Sequence, residues 1–329
     1  MRLLSLASWL SKTDWKITFC SKECDQKLID KIKSEKIFFL LDRNPFDLKR
    51  KLPHQDIVFI DDYSISKEEW KKIENLDSTT VVLDDATSDH PLPVDIVVNP
   101  APNIKAKQYL KRTKNSALLL GPQFTILRKD FSRLKAEKFI KRTGILITLG
   151  GSENNGLDFA LAKALCGTFS NERIIVILGP MIKKETIKKM KQLAVKHNNL
   201  SIVLDCFNLE KYMTNVAMAV CAGGSTLGEL AVTGTPTVAV CLTANQSLML
   251  SSPLRNTWYF AHDAINFKDL SGRKEKLIVA EILESINLLL NNYDVRKTMG
   301  EKARNIVDAF GCERIIQKTL DFHLSKTKV

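Results

Sequence analysis

The sequence predicts an α/β fold with parallel sheets. Short apolar segments of strand length alternate with amphipathic segments of helix length, which is typical of parallel sheets covered by helices on both faces. This alternation occurs in two series, separated by a charged segment at residues 128–142. A chain of 329 residues also exceeds the usual size of one hydrophobic core. We therefore predict two doubly wound, Rossmann-like domains, over residues 1–140 and 141–329.

The individual elements follow from this pattern. The N-terminal series predicts helices at residues 2–11, 24–33 and 66–75, and strands at residues 15–20, 36–41, 56–60, 80–83, 95–98 and 117–120. The C-terminal series predicts strands at residues 145–149, 174–178, 201–204, 217–222 and 237–241, separated by helices. The last third predicts helices at residues 275–291, 295–309 and 312–324, with a break at Gly311.

The most informative segment follows the apolar strand at residues 217–222. Two glycines end that strand, and the next serine is predicted as the N-cap of a helix with a glutamate in its first turn. Glycines let a backbone approach a diphosphate, and a helix N-terminus offers unpaired N–H groups with a favourable dipole. A site for a sugar nucleotide and a plain strand-to-helix turn both explain this spacing. The candidate binding residues are Gly223, Gly224, Ser225, Thr226 and Glu229.

Two further loops follow predicted strands of the C-terminal series. In doubly wound sheets, ligands bind beyond the carboxyl ends of the strands, so we expect all three loops to face one site. Amide side chains suit sugar hydroxyls or acetamido groups, although an Asn there is also an ordinary helix cap. The candidate residues are Gly150, Gly151 and Ser152 in one loop, and Asn245 and Gln246 in the other.

The segment GGSTLGELAVTGTP at residues 223–236, followed by Asn245-Gln246, resembles the nucleotide-binding half of GT-B enzymes such as the lipid II-forming N-acetylglucosaminyltransferases. Over nearly the whole chain, the sequence is most similar to the UDP-sugar hydrolases of pseudaminic acid biosynthesis and the related spore-coat polysaccharide proteins. The resemblance implies a GT-B-like fold with an interdomain cleft and a last helix that returns to the first domain. The segment at residues 120–128 also resembles the family, which implies that Arg128 contacts the nucleotide-sugar.

The activity implied by the resemblance is release of UDP by water attack at the anomeric carbon of a UDP-sugar, in nonulosonic acid or surface polysaccharide biosynthesis. It implies no cofactor and no metal. Two alternatives stay open. A GT-B glycosyltransferase uses the same donor with an acceptor hydroxyl in place of water, and a non-catalytic protein binds the UDP-sugar without turning it over.

The catalytic loop is where the sequence departs from the family. Relatives carry a Gly-x-Gly-His loop before the helix that Met1-Arg2-Leu3 resembles, and the His of that loop activates water. No residue of this sequence corresponds to that His, so the pattern identifies no catalytic residue. We expect the chain to bind a UDP-sugar better than it hydrolyses one. Asp84, at a strand end, is a less favoured candidate because turns recruit Asp readily, and His90 follows it.

The composition argues against several other classes. The net charge of +12 is carried by lysine runs such as residues 183–191, which have the pattern of a solvated helix face. The sequence lacks a nucleic-acid recognition motif and an early Gly-x-Gly-x-x-Gly, so we expect neither nucleic acid nor a nicotinamide cofactor. Seven cysteines without paired spacing argue against disulfides and zinc. We expect a cytoplasmic protein, with peripheral membrane contact possible but not indicated, and with the oligomeric state open.

Overall fold

The computed structural model describes residues 2–10, 14–24, 26–35, 37–42, 56–85, 89–134, 142–206, 208–252, 254–265, 267 and 272–327. The chain divides into two compact units. Unit 1 combines Met1–Lys129 with Ala309–Val329, and unit 2 is Asp130–Asp308. The predicted boundary near residue 140 lies within residues 135–141, which are outside the described residues.

Unit 1 is built from parallel strands. Among its described residues, β1 (Thr18–Ser21) pairs with β2 (Phe38–Leu41), and a second sheet contains, in order, β3 (Ile57–Ile60), β4 (Thr79–Leu83), β5 (Ile96–Asn99) and β6 (Ala117–Leu120). Its helices are α1 (Arg2–Leu10), α2 (Gln26–Ser34), α3 (Lys67–Glu74) and α10 (Gly311–Lys326). Each strand predicted in the N-terminal series is present, with its ends displaced by a few residues at most.

Helix α1 is buried on two sides, which explains its apolar sequence. Leu6 packs into the cluster that contains Val81 of β4, whereas Leu4 and Ala7 pack with Ile32 of α2. Residues three apart lie on one helical face, and Leu6 projects from a different face. The same helix therefore covers both groups of strands in unit 1.

Helix α10 packs in unit 1 although it is the last element of the chain. It begins at Gly311, whose missing side chain allows close contact with Thr125: an added Cβ would lie 2.8 Å from the Thr125 backbone nitrogen and closer still to its carbonyl oxygen. Arg314 donates to the carbonyl oxygen of Gln123 at 2.7 Å. The start of α10 therefore has a packing role.

Unit 2 contains a parallel sheet covered by helices. Within the described residues the strands are, in chain order, β7 (Ile145–Thr148), β8 (Ile174–Leu178), β9 (Leu200–Leu204), β10 (Met218–Ala222), β11 (Thr237–Cys241) and β12 (Tyr259–Asp263). Their spatial order is β12-β11-β10-β7-β8-β9. The helices are α4 (Leu157–Thr168), α5 (Lys184–Lys196), α6 (Leu209–Met213), α7 (Ser225–Thr233), α8 (Gly272–Asn291) and α9 (Tyr293–Ile306).

Strand β12 was not predicted from the sequence. Its residues Tyr-Phe-Ala-His-Asp lack the continuous apolar run of the other strands because β12 lies at the edge of the sheet. The inner strands β7, β8, β10 and β11 are buried along their whole length, so their sequences are almost purely apolar. Because these strands are buried on both faces, their positions could be predicted from the sequence.

No helix in the described part of the chain is both long enough and apolar enough to cross a membrane. All seven cysteines are free thiols, and Cys166, Cys221, Cys241 and Cys312 are buried.

Candidate functional site

The strand order of unit 2 reverses between β7 and β10. From β7 the chain adds β8 and β9 on one side, then crosses to β10 on the other side and continues to β11 and β12. Open α/β sheets bind ligands in the crevice outside the carboxyl ends of the strands at such a reversal. The register pairs Thr148 of β7 with Cys221 of β10, so the loops that follow these strands start side by side.

The loop after β7 is pressed against the loop after β8. An added Cβ at Gly179, the first residue after β8, would overlap the Cα of Gly151 and lie 2.7 Å from the carbonyl oxygen of Gly150. The N–H of Met181 donates to the carbonyl oxygen of Gly151 at 2.9 Å. Gly150 itself has a φ of 106°, and an added Cβ would meet no heavy atom within 4 Å. The backbone at Gly150 therefore borders open space, whereas Gly151 packs against Gly179 of the loop after β8.

Gly179 was missed by the sequence analysis. The sequence does indicate a turn at Gly179, because this glycine directly follows the predicted strand at residues 174–178. Its closeness to Gly151 depends on the pairing of β8 with β7, which the sequence does not show.

The loop after β10 contacts the segment after β11. An added Cβ at Gly223 would overlap the Met249 sulfur and lie 3.3 Å from the Cβ of Gln246. The side-chain oxygen of Gln246 accepts the N–H of Leu242 at 2.9 Å, and its amide nitrogen would lie 4.0 Å from a Cβ at Gly224. The glycine pair and Gln246 are thus brought together.

Asn245 lies in the same segment as Gln246. Its side-chain oxygen accepts the hydroxyl of Thr243 at 2.5 Å. The segment Ala244–Met249 forms a 3₁₀ helix, with Thr243 as its N-cap. The alternative interpretation of Asn245 as the N-cap residue is therefore wrong, because the helix begins before it.

The start of α7 corrects two details of the sequence analysis. Its N-cap is Gly224 and not Ser225, because Gly224 has extended backbone and its carbonyl oxygen accepts the N–H of Leu227 at 3.0 Å. The first turn contains no acidic residue, so Glu229 lies in the second turn. Ser225 and Thr226 are therefore the first helical residues, whose N–H groups have no acceptor within the helix. Such groups favour an anion at this end of α7.

Glu229 is buried, with 9% of its surface exposed, and is not the exposed carboxylate of the alternative interpretation. Burial and the nearby charge of Glu229 raise the pKa of the Cys221 thiol on β10. The carboxylate therefore lies near enough to Cys221, close to the carboxyl end of β10, for its charge to act on that thiol.

Arg128 lies in unit 1, two residues before unit 2 begins. It is half-buried and follows the buried residues Thr125, Ile126 and Leu127. Its contact with a nucleotide-sugar stays a prediction.

Asp84, the less favoured catalytic candidate, is held in an ion pair in unit 1. The Arg112 guanidinium donates to both of its oxygens, at 2.8 and 2.9 Å, and the Tyr109 hydroxyl donates to one of them at 2.8 Å. Arg112 is 5% exposed and also donates to the carbonyl oxygen of His90 at 3.1 Å. A carboxylate whose two oxygens already accept three hydrogen bonds has little acceptor capacity left for a substrate or a water. We therefore interpret Asp84 as a structural residue.

A second polar cluster, at the carboxyl ends of β3 and β4, was missed by the sequence analysis. The Arg2 guanidinium donates to Asp61 at 2.5 Å, to Asp85 at 2.7 Å and to the Tyr63 hydroxyl at 2.8 Å. The Tyr63 hydroxyl donates to Asp85. Partial desolvation of the hydroxyl and its hydrogen bond to Asp85 raise the pKa of Tyr63, so it stays protonated near neutral pH. This Arg2 cluster offers proton donors and acceptors at a sheet edge where ligands bind.

The described residues contain no group of three or more His, Cys, Asp or Glu side chains arranged to hold a metal ion.

Comparison with known proteins gives distant relatives and close structural neighbours. No family model matches the chain. The chain is 26% identical over 249 residues to the uncharacterised protein MJ1062 of Methanocaldococcus jannaschii, covering 73% of this chain and 51% of that protein. It thus spans about half the length of this relative. It is also 22% identical over 240 residues to the UDP-2,4-diacetamido-2,4,6-trideoxy-beta-L-altropyranose hydrolase of Campylobacter jejuni, covering 72% of this chain and 85% of the hydrolase.

Solved structures match almost the entire chain. MurG of Acinetobacter baumannii is 13% identical, with a TM-score of 0.63 over 97% of this chain and 95% of that chain. MnaA of S. aureus, solved with UDP, is 10% identical, with a TM-score of 0.65 over 98% of this chain and 94% of that chain. At such low identity these matches concern the fold. The chain has the GT-B fold, with two Rossmann-like α/β units, as its glycine-rich segment predicted.

Proposed function

We propose that the chain binds a UDP-sugar at the carboxyl edge of the unit 2 sheet and releases UDP from it by hydrolysis. The observation that carries the proposal is the position of the two glycine loops. Gly150-Gly151 and Gly223-Gly224 follow the two strands between which the strand order reverses, where open α/β sheets bind ligands. The similarity to the C. jejuni UDP-sugar hydrolase and the fold shared with the UDP complex of MnaA support the choice of ligand.

Each group of the site has a proposed partner on the ligand. The N–H groups at the start of α7, at Ser225 and Thr226, bind the diphosphate, together with the backbone at Gly150 to Ser152. The buried Glu229 carboxylate accepts hydrogen bonds from the ribose diol. The amides of Asn245 and Gln246 bind sugar hydroxyl or acetamido groups.

The proposed context is nonulosonic acid or surface polysaccharide biosynthesis in the cytoplasm.

Two measurements test the proposal. Calorimetric titration of the full chain with UDP, and with uridine as a control without phosphates, should show binding of UDP and much weaker binding of uridine. NMR of the chain with the UDP-activated diacetamido trideoxy sugar should then show slow formation of free sugar and UDP without any acceptor. Release of UDP only after an acceptor is added would indicate a glycosyltransferase, which the shared fold with MurG also accommodates. Absence of UDP binding would contradict the proposal as a whole.

A further inference from the structure

A buried acid lies next to the glycine loop between β7 and α4. Asp158 is the second residue of α4 and is 2% exposed. Its Oδ2 accepts the side-chain N–H of Asn154 at 3.1 Å, whereas its Oδ1 has no hydrogen-bond partner in the described part of the chain. A charged carboxylate oxygen is costly to bury without a donor. This position therefore favours an uncharged acid.

Asn154, the partner of Asp158, anchors a loop with an unusual backbone. Gly150, Asn155 and Gly156 all have positive φ, at 106°, 54° and 84°. A left-handed conformation is uncommon at a residue other than glycine, and Asn155 is of a type that adopts it more readily than most. Asn154 is 8% exposed, and its carbonyl oxygen accepts the N–H of Leu157 at 3.0 Å while its amide donates to Asp158. The hydrogen bond from Asn154 to Asp158 thus holds the loop against the start of α4.

The charges around Asp158 also disfavour its ionised form. Burial and the charge of Glu153 raise the pKa of Asp158, and they outweigh the hydrogen bonds from Asn154 and from the backbone N–H of Asp158, which lower it. Glu153 is held close by, because it accepts the N–H of Lys183 at 2.5 Å and the hydroxyl of Thr186 at 3.3 Å at the start of α5. A second negative charge at Asp158 would add to the first, beside a loop proposed to bind an anion.

We propose that Asp158 is a positioning residue which, while uncharged, holds the glycine loop through Asn154, and whose ionisation weakens binding of a diphosphate. The inference rests on the proposed function, because it takes the diphosphate as a ligand of Gly150 and Gly151. A negative charge at Asp158, beside the loop that is proposed to bind the diphosphate, opposes binding, and an uncharged acid does not. The affinity for UDP therefore falls as the pH rises through the pKa of Asp158.

The test compares UDP affinity in three forms of the full chain: wild type, Asp158→Asn and the matched control Asp294→Asn. Asp294 occupies the same second position of its helix, α9, but is exposed. Calorimetric dissociation constants are measured from about pH 4.5 to about pH 8, a range above the ordinary pKa of Asp. The ionisation of UDP itself is common to all three proteins, so the ratio of Kd for wild type to Kd for Asp158→Asn isolates the effect of Asp158.

We expect that ratio to rise roughly three- to tenfold across the range, while the ratio for Asp294→Asn stays constant. Asp158→Leu, which removes the partner of Asn154, should weaken UDP binding at every pH. A constant ratio for Asp158→Asn while wild type binds UDP overturns this inference and leaves the proposed function standing.

Urea unfolding gives a readout that does not need the ligand. Because the folded state raises the pKa of Asp158, its favourable contribution to stability is present at low pH and is lost as the pH rises through the folded-state pKa. Asp158→Asn should therefore gain stability relative to wild type as the pH rises. A pH-independent difference in stability overturns the assignment of Asp158 as an uncharged acid, and absence of UDP binding by wild type overturns the proposed function together with this inference.

Discussion

Gly179 and Gly151 touch through their backbones. An added Cβ at Gly179 would overlap the Cα of Gly151 and lie 2.7 Å from the carbonyl oxygen of Gly150. Because the obstacles are backbone atoms, no side-chain rotation relieves the overlap. Gly179→Ala should therefore displace the loop after β7, destabilise the protein by about 1–3 kcal/mol and weaken UDP binding.

The matched control is Gly167→Ala, at a glycine of α4 where an added Cβ meets no heavy atom within 4 Å. This variant should be neutral, or more stable by about 0.5–1 kcal/mol, because alanine loses less backbone entropy in a helix. Urea unfolding and UDP titration of both variants check the prediction. Equal stability and equal UDP affinity of the two variants would contradict it.

Glu229→Ala should weaken UDP binding by about 1–3 kcal/mol, since the buried carboxylate is proposed to accept hydrogen bonds from the ribose diol. The measurement is calorimetric titration with UDP and with 2′-deoxy-UDP. The deoxy ligand lacks one hydroxyl, so the variant should lose less affinity for it than for UDP. The same UDP affinity for wild type and variant would remove the assignment.

Arg128→Lys should lose part of the affinity for UDP-sugar and Arg128→Met most of it, because lysine keeps the charge but not the planar, bidentate donor geometry. Lys114→Met is a control that removes one positive charge at an exposed position of unit 1. Titrations at low salt check this prediction. If all of these variants bind as wild type does, Arg128 is only a surface cation.

Arg112→Leu should destabilise the protein by about 3–5 kcal/mol, because it leaves the Asp84 carboxylate without its bidentate partner in a largely buried setting. Asp84→Asn should also be destabilising, yet the folded variant should release UDP at the wild-type rate. Denaturant unfolding and the UDP-release assay together check the structural role of Asp84. Normal stability with lost activity would restore Asp84 as a catalytic candidate.

The sequence by itself determined the alternation of elements and the position of the glycine loops. The inner strands of unit 2 are buried on both faces, so their continuous apolar runs predicted them without a structure; these are β7, β8, β10 and β11. The glycines after β7 and β10 were equally visible, because a glycine pair after such a run marks a strand-to-helix turn. The edge strand β12 lacked this signal, because an edge position tolerates polar residues such as His262 and Asp263.

The tertiary structure alone decided which of these residues meet. The reversal of strand order between β7 and β10 follows from long-range pairing, and local periodicity carries no information about which strands become neighbours. The same holds for the contact of Gly179 with Gly151, for the ion pair of Asp84 with Arg112, and for the burial of Asp158. The local sequence around a carboxylate at a strand end or in a first helical turn does not show whether the group is solvated, paired or buried. Its environment is formed by residues that are distant in the chain.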